Sequence, residues 1–262
     1  MRRWSWIKGS FKGDLMQPIL IISAVPQEIE LLQAALINKI DYAGAIPHLS
    51  GSIGNVRLVI CAGGIGKINA AIATSAMIER YQPALAINTG CAGAYPGSGL
   101  EIGNLALATA EILGDEGAIT SAGWLDLREM NLPLAKHGNE AIYNLIPVSD
   151  CYAQKAVDLA AAHGIKLVTG NFVSLSTCSG TSQRGEVLTQ RFQAIAESME
   201  GAAVALASLR YGIDCLEIRG ISNYVEERNL SAWEITKAVR AAQQFVLRFL
   251  KHIEPEMIKH CR

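Results

Sequence analysis

From Pro18 onward, short β-rich runs alternate with stretches of helical periodicity, and this alternation constrains the fold more than any other feature of the chain. The runs are "PILIISA" (18–24), "VRLVICA" (56–62), "ALAIN" (84–88), "LALATA" (105–110), "KLVTGNFVSL" (166–175) and "CLEI" (215–218). Between them, residues 27–39, 66–81, 152–163, 184–193 and 199–211 read as helices. Strands separated by helices tend to pair in parallel, because the helix carries the chain back across a face of the sheet. The expected architecture is α/β: a single three-layer domain whose central twisted sheet, mixed but mostly parallel, is flanked by helices. No Pro/Gly/Ser-rich or charge-rich linker divides the 262 residues, a length one such domain can use.

The final helix is the most legible. Apolar residues at 235, 239, 242, 246, 249 and 253 step by three and four along one face, and Ser231 followed by Glu234 fits a capping box. Residues 114–147, "GDEGAITSAGWLDLREMNLPLAKHGNEAIYNLIP", hold no steady period and read as a functional loop or a subunit contact. The opening "MRRWSWIKGSFKGDL" is basic but lacks the apolar core of a secretory signal. Residues 1–17 are set apart as a disordered leader, or as the product of a start codon upstream of Met16, leaving 18–262 as the folded domain.

Hydrophobic residues make up 50% and charged residues 18% of the chain, which suits a substantial core and excludes a disordered protein. A formal net charge of −1 points to neither nucleic acid nor an anionic membrane surface. The longest apolar stretches run to about eight residues, against roughly 18 for a membrane span. Six cysteines without a C-x-x-C pair, and five scattered histidines, give no metal spacing. A reduced, cytoplasmic protein without metal or cofactor is expected.

The chemistry gathers at strand ends. "CAGGIGKINAA" (61–71) runs from a strand through a Gly-rich turn into a helix, open either to tight packing or to backbone N–H groups aimed at a ligand. It matches neither a P-loop nor the dinucleotide fingerprint. In "NTGCAGAYPG" (88–97), Gly90 and Gly93 allow the main chain to approach a ligand, and open α/β sheets bind ligands beyond the carboxyl ends of their strands. In "SAVPQEIELL" (23–32), Glu28 falls in the first turn after the first strand, either as a solvated first-turn carboxylate or as a site group. Glu200 opens the apolar helix of "ESMEGAAVALASLRYG" (197–212). A buried carboxylate there needs a partner: paired ligand hydroxyls, or a core arginine such as Arg219. "RGISNYVEE" (219–227) adds the amide of Asn223. No nucleophilic Ser or Cys comes with a positioned His, which disfavours acyl transfer.

Taken in order, "SAVPQEIELL", "GGIGKINAA", "NTGCAGA", "SMEGAA" and "RGISN" resemble the motifs of the purine nucleosidase and phosphorylase superfamily, most closely the nucleosidases that cleave methylthioadenosine and S-adenosylhomocysteine. The resemblance covers about residues 18 to 253. It implies that Glu28 activates a water molecule, that Glu200, after Met199, grips the ribose hydroxyls, and that Arg219 and Ser222 support the site. It also implies that Cys91, Ala92, Gly93, Thr177 and Cys178 line the substrate. Cys91 stands where relatives usually carry serine, and Ser198 where adenine-cleaving nucleosidases often carry an acidic residue. The stretches "AVPQEIE" and "INTGCAG" lack the arginines with which bacterial phosphorylases hold phosphate, so hydrolysis is expected. Relatives that release adenine carry aspartate at the position of Asn223. An asparagine can instead donate to N7 and O6 of a 6-oxopurine, as in the futalosine hydrolase family of menaquinone biosynthesis, which "ISNYVEERN" and Trp233 also resemble. Alternatives are a methylthioadenosine/S-adenosylhomocysteine nucleosidase and a nucleoside-binding protein without catalysis. The implied partners are a purine nucleoside, water and, by analogy with relatives, a second copy of the chain. The carboxylate on the 5′ side of futalosine requires a cation, for which Arg128, Lys136 and Arg184 are candidates.

Overall fold

The structure is a computed structural model and describes residues 17–253. The leader expected at 1–17 lies, but for Gln17, outside the described residues. The chain runs through β1 (Ile19–Ser23), α1 (Glu30–Ala34), β2 (Ile37–Tyr42), β3 (His48–Ile53), β4 (Val56–Ala62), α2 (Lys67–Tyr81) and β5 (Leu85–Ala94). It continues with β6 (Leu105–Leu113), β7 (Ala118–Thr120), β8 (Gly123–Leu125), β9 (Ala135–His137), β10 (Glu140–Ile142), β11 (Leu145–Pro147) and α3 (Asp150–Ala162). The last elements are β12 (Leu167–Ser174), α4 (Ser182–Phe192), β13 (Ala194–Ser198), α5 (Gly201–Tyr211), β14 (Asp214–Tyr224) and α6 (Ile235–His252).

The sheet has two parallel blocks, β4-β1-β5-β14 and β6-β12-β13. Antiparallel pairings join them twice, β14 to β6 and β13 to β5. Strands β14, β6, β12, β13 and β5 therefore close into a ring. Ala92, Ala94, Ala106, Ala108, Phe172, Ala196 and Ile221, contributed by those five strands, form one cluster. The small residues make room for the single large ring of Phe172, which fills the space they leave.

The rest of the sheet is covered on both faces, which explains its continuous apolar runs. Ile19 and Ile21 of β1 belong to the core shared with α1, α3 and α6, and the alternate residues Leu20 and Ile22 to the core shared with α2 and α5. Helix α6 buries Phe245, Val246, Phe249 and Leu250 against the first of these. Each such side chain stabilises the fold by roughly 1.5–3 kcal/mol.

Several expectations are corrected. The helix read over 27–39 is a single 3-10 turn, Pro26–Glu28, and the short α1, and residues 37–42 are a strand paired antiparallel with β3. Helical propensity in "LLQAALIN" yields to pairing at the sheet edge, where Asn38 takes a left-handed φ of 52°. The strand β13 precedes α5, which starts at Gly201. Strands β5 and β14 continue through "TGCAGA" and "RGISNY" instead of turning. The capping box at α6 does not form: Ser231 lies in a preceding 3-10 turn, where its hydroxyl bonds Oδ1 of Asn229 at 2.7 Å, and Glu234 itself occupies the cap position. Residues 114–147 fold into the hairpins β7–β8 and β9–β10 and the edge strand β11, which pairs with β6. Cys61, Cys91, Cys178 and Cys215 are free thiols, but Cys151 is disulfide-bonded, so the wholly reduced set expected does not hold. Among the described residues no helix is long and apolar enough to cross a membrane.

Candidate active site

The Pro26–Glu28 turn places the carboxylate of Glu28, 3% exposed, over the middle of β5. Its Oε2 accepts from the backbone N–H groups of Ala24 (3.0 Å) and Val25 (3.2 Å), and its Oε1 from that of Cys91 (2.9 Å). Gly90 makes this placement possible, because a Cβ there would lie 2.3 Å from Oε1 of Glu28 and 2.9 Å from Nη1 of Arg219. The expected close approach at Gly90 is thus made by the protein's own carboxylate. A carboxylate offers about four acceptor positions. Three N–H groups leave room for one more donor.

Arg219, on β14 opposite Gly90, is fully buried. Its Nε donates to Oε1 of Glu217 at 2.7 Å, its Nη1 donates to the carbonyl of Cys91 at 3.1 Å, and its Nη2 lies 3.5 Å from Oε2 of Glu200. Burial opposes the charge of Arg219, but Glu217, then Glu200 and Glu28, outweigh it and raise the pKa above its ordinary value. Glu200 stands at the N-cap of α5, and its Oε1 accepts from the N–H of Gly66 at 2.9 Å. Of the two sequence readings of Glu200, the core-arginine one is seen directly: the carboxylate faces Arg219 across a long ion-pair distance. Burial raises its pKa, countered by Arg219 and the Gly66 N–H, while Glu28 adds to the rise. The Gly-rich turn at 63–66 thus holds a carboxylate of the protein itself.

Asn223 follows a register shift between Ile221 and Asn223, where Ser222 is the extra residue. Such a bulge re-aims the side chains that follow it. The hydroxyl of Ser222 lies 2.7 Å from Oδ1 of Asn223 and 3.2 Å from the carbonyl of Ala92, and Nδ2 of Asn223 donates to the carbonyl of Tyr224 at 2.9 Å. With Ser222 donating to Oδ1 and Nδ2 donating to Tyr224, the amide keeps one N–H to spare. Gly93, paired with Asn223, leaves 3.3 Å between a built Cβ and Nδ2.

Glu28, Cys91, Ala92, Gly93, Glu200, Arg219, Ser222 and Asn223 are therefore brought together by direct contacts. The thiol of Cys91 is pushed up to about 12, by burial first and by Glu28 second, and stays neutral. Met199 is half-buried in the turn between β13 and α5. Cys178 is half-buried in the loop after β12, and its thiol is raised by burial, then by Glu197, with Arg228 opposing. Thr177 is exposed, and its carbonyl accepts from Nη2 of Arg184 at 3.3 Å. Arg128 stacks on Tyr143 at 4.7 Å and Lys136 is exposed on β9, so of the three cations only Arg184 contacts an expected site residue.

Sequence reasoning passed over Glu217 and Arg228, whose guanidinium lies 5.1 Å from the ring centre of Trp233, and read Gly66 only as part of its Gly-rich turn. It also passed over Lys67, which pairs with Asp115 and Glu116 beside the Gly66 N–H. Glu217 sits in a β-rich run in which every residue from 215 to 222 is buried, so its polarity was the available signal. Among the described residues no group of His, Cys, Asp and Glu is placed to hold a metal ion.

A carboxylate poised above a ring-closed strand, a second one at a helix start, and an arginine between them define the class. Residues 18–253 match the phosphorylase superfamily, and the chain belongs to it. Within that superfamily it falls among the nucleosidases. It is 30% identical over 238 residues to the 5′-methylthioadenosine/S-adenosylhomocysteine nucleosidase of Exiguobacterium sp., covering 89% of this chain and 97% of the relative. It is 32% identical over 187 residues to the futalosine hydrolase of Thermus thermophilus, covering 71% and 78%. The structure of futalosine hydrolase from Helicobacter pylori shares its fold, with a TM-score of 0.77 over 91% of this chain and 99% of that one, at 24% identity.

Proposed function

We propose that the protein hydrolyses the N-glycosidic bond of a 6-oxopurine nucleoside, futalosine, releasing hypoxanthine for menaquinone biosynthesis. The observation that carries this reading is the amide of Asn223. With Oδ1 accepting from Ser222 and one N–H of Nδ2 donated to Tyr224, the amide keeps a second N–H for an acceptor on the N7/O6 edge of hypoxanthine, an edge where adenine carries an amino donor.

The cleavage proceeds through an oxocarbenium-like ribosyl transition state. Glu28, fixed by three N–H groups, uses its remaining acceptor position to take the proton of the attacking water. Glu200 accepts from the ribose hydroxyls, and its charge favours the developing cation. Asn223 stabilises the departing base by donation. A carboxylate where phosphorylases hold phosphate would repel that dianion, and the neighbouring Arg219 is already engaged by Glu217 and the Cys91 carbonyl. Arg184 and Arg228, both near Cys178, supply the positive field for the carboxylate on the 5′ side.

The more frequent name among relatives favours one second reading, cleavage of methylthioadenosine and S-adenosylhomocysteine. We further propose a homodimer in the cytoplasm. Ile65, Ile68 and Ile72, exposed by 58%, 77% and 56% next to Gly66, supply an apolar stripe for a second copy. Incubating the purified protein with futalosine, with and without phosphate, tests the reaction. Hypoxanthine and free sugar should appear at the same rate in both; a sugar phosphate, or dependence on phosphate, would count against hydrolysis.

A further inference from the structure

Behind Arg219 lie two carboxyl groups that the cleavage itself does not use. Glu111 on β6 and Glu217 on β14 are both fully buried. Oε1 of Glu111 and Oε2 of Glu217 stand 2.4 and 2.3 Å from the point where a Cβ on Gly201 would be, and so face each other in the space that glycine leaves open. Neither oxygen has a donor from any other group. The remaining two oxygens are committed as acceptors. Oε2 of Glu111 accepts from the hydroxyl of Ser174 at 2.9 Å, and that hydroxyl oxygen in turn accepts from the N–H of Ala202 at 2.7 Å. Oε1 of Glu217 accepts from Nε of Arg219.

Ionised carboxylates are acceptors only, so two of them cannot face one another in a dry interior without a proton between them. We infer that Glu111 and Glu217 share one proton, held between Oε1 of Glu111 and Oε2 of Glu217, and that this singly charged pair is a positioning device for Arg219. The connections run without a break from the Ala202 N–H through Ser174, Glu111, the shared proton and Glu217 to Arg219. From there they reach the Cys91 carbonyl and Glu200. The groups facing the pair agree with this. Burial, then Glu217, raises Glu111 well above the ordinary carboxyl value, against Arg219 and Ser174, and the neighbouring Cys215 thiol is raised by burial and by both carboxyls. One negative charge on the pair matches one guanidinium. Two would pull Arg219 away from Glu28 and Glu200.

The inference rests on the proposed cleavage only for its kinetic consequence, so two measurements separate them. Infrared spectra of the ligand-free protein at neutral pH should show a protonated carboxyl C=O band that shifts in D2O and is lost in Glu111→Gln. Absence of that band, or its persistence in the variant, would overturn the shared proton whatever the substrate. For positioning, Glu111→Ala should lower kcat by up to about 10²-fold with KM moved less, and Glu111→Gln, which resembles the protonated group, should recover most of it. Equal loss in both variants, or none in either, would overturn the role. Should Glu111→Ala fail to fold, Glu217→Gln takes its place: removing the negative charge that faces Arg219 should lower kcat while the melting transition stays cooperative, and an unchanged kcat would contradict the assignment.

Discussion

Glu28 occupies the space that any side chain at position 90 would need, with its Oε1 2.3 Å from a built Cβ. Gly90→Ala should therefore displace the carboxylate as well as overpack the strand. We expect a loss of about 1–3 kcal/mol in unfolding free energy, together with turnover falling as far as in Glu28→Gln. That second substitution leaves the packing intact and removes the base, so kcat should drop on the order of 10² or more. Near-wild-type turnover in Glu28→Gln would remove Glu28 from the mechanism. Glu111 gives a prediction in pH. Its folded-state pKa lies above its ordinary 4.5, so between those values the folded protein holds a proton that the unfolded chain has lost. Stability should fall with rising pH by up to about 1.4 kcal/mol per unit across that window. Glu111→Gln does not titrate, and its melting temperature relative to wild type should climb over the same range. A difference independent of pH would contradict the buried proton.

Among the elements, α6 does more than cover the sheet. Gln243, 2% exposed, accepts from the N–H of Leu31 at 2.7 Å and donates to the carbonyls of Gln27 and Val239 at 3.1 Å, clamping the turn that carries Glu28. Gln243→Leu should cost about 1–3 kcal/mol by stranding those buried groups, and it should lower kcat by loosening Glu28, measured by chemical denaturation and steady-state turnover. The apolar stripe of α6 was legible because its period of three and four is unbroken. The bond from Gln243 was not, since one polar residue inside a helical stripe carries no mark of its partner. Strands β2 and β13 were missed for a different reason: both owe their conformation to pairing, β2 with the following strand β3, and β13 with the more distant β12 and β5. The bulge at Ser222 belongs with them, as it arises from register against β5.

At the scale of the whole molecule, the ring of β14, β6, β12, β13 and β5 brings residues 28, 91, 200, 219 and 223 to one place although the chain separates them widely. Their order along the sequence was enough to mark Glu28, Glu200, Arg219, Ser222 and Asn223. Glu111 and Glu217 stayed hidden because each lies in a strand run where alternation suggests a solvated face, and only ring closure buries both. The proposed base recognition has a structural footing in this register, since the bulge places Ser222 where its hydroxyl holds Oδ1 of the Asn223 amide. The most direct test is the ratio of kcat/KM for futalosine to that for methylthioadenosine, in wild type and in Asn223→Asp. The ratio should strongly favour futalosine in the wild type and move toward methylthioadenosine in the variant by at least about tenfold, as expected for exchanging a matched donor for an acceptor. A wild-type preference for methylthioadenosine, or a ratio unmoved by Asn223→Asp, would contradict it.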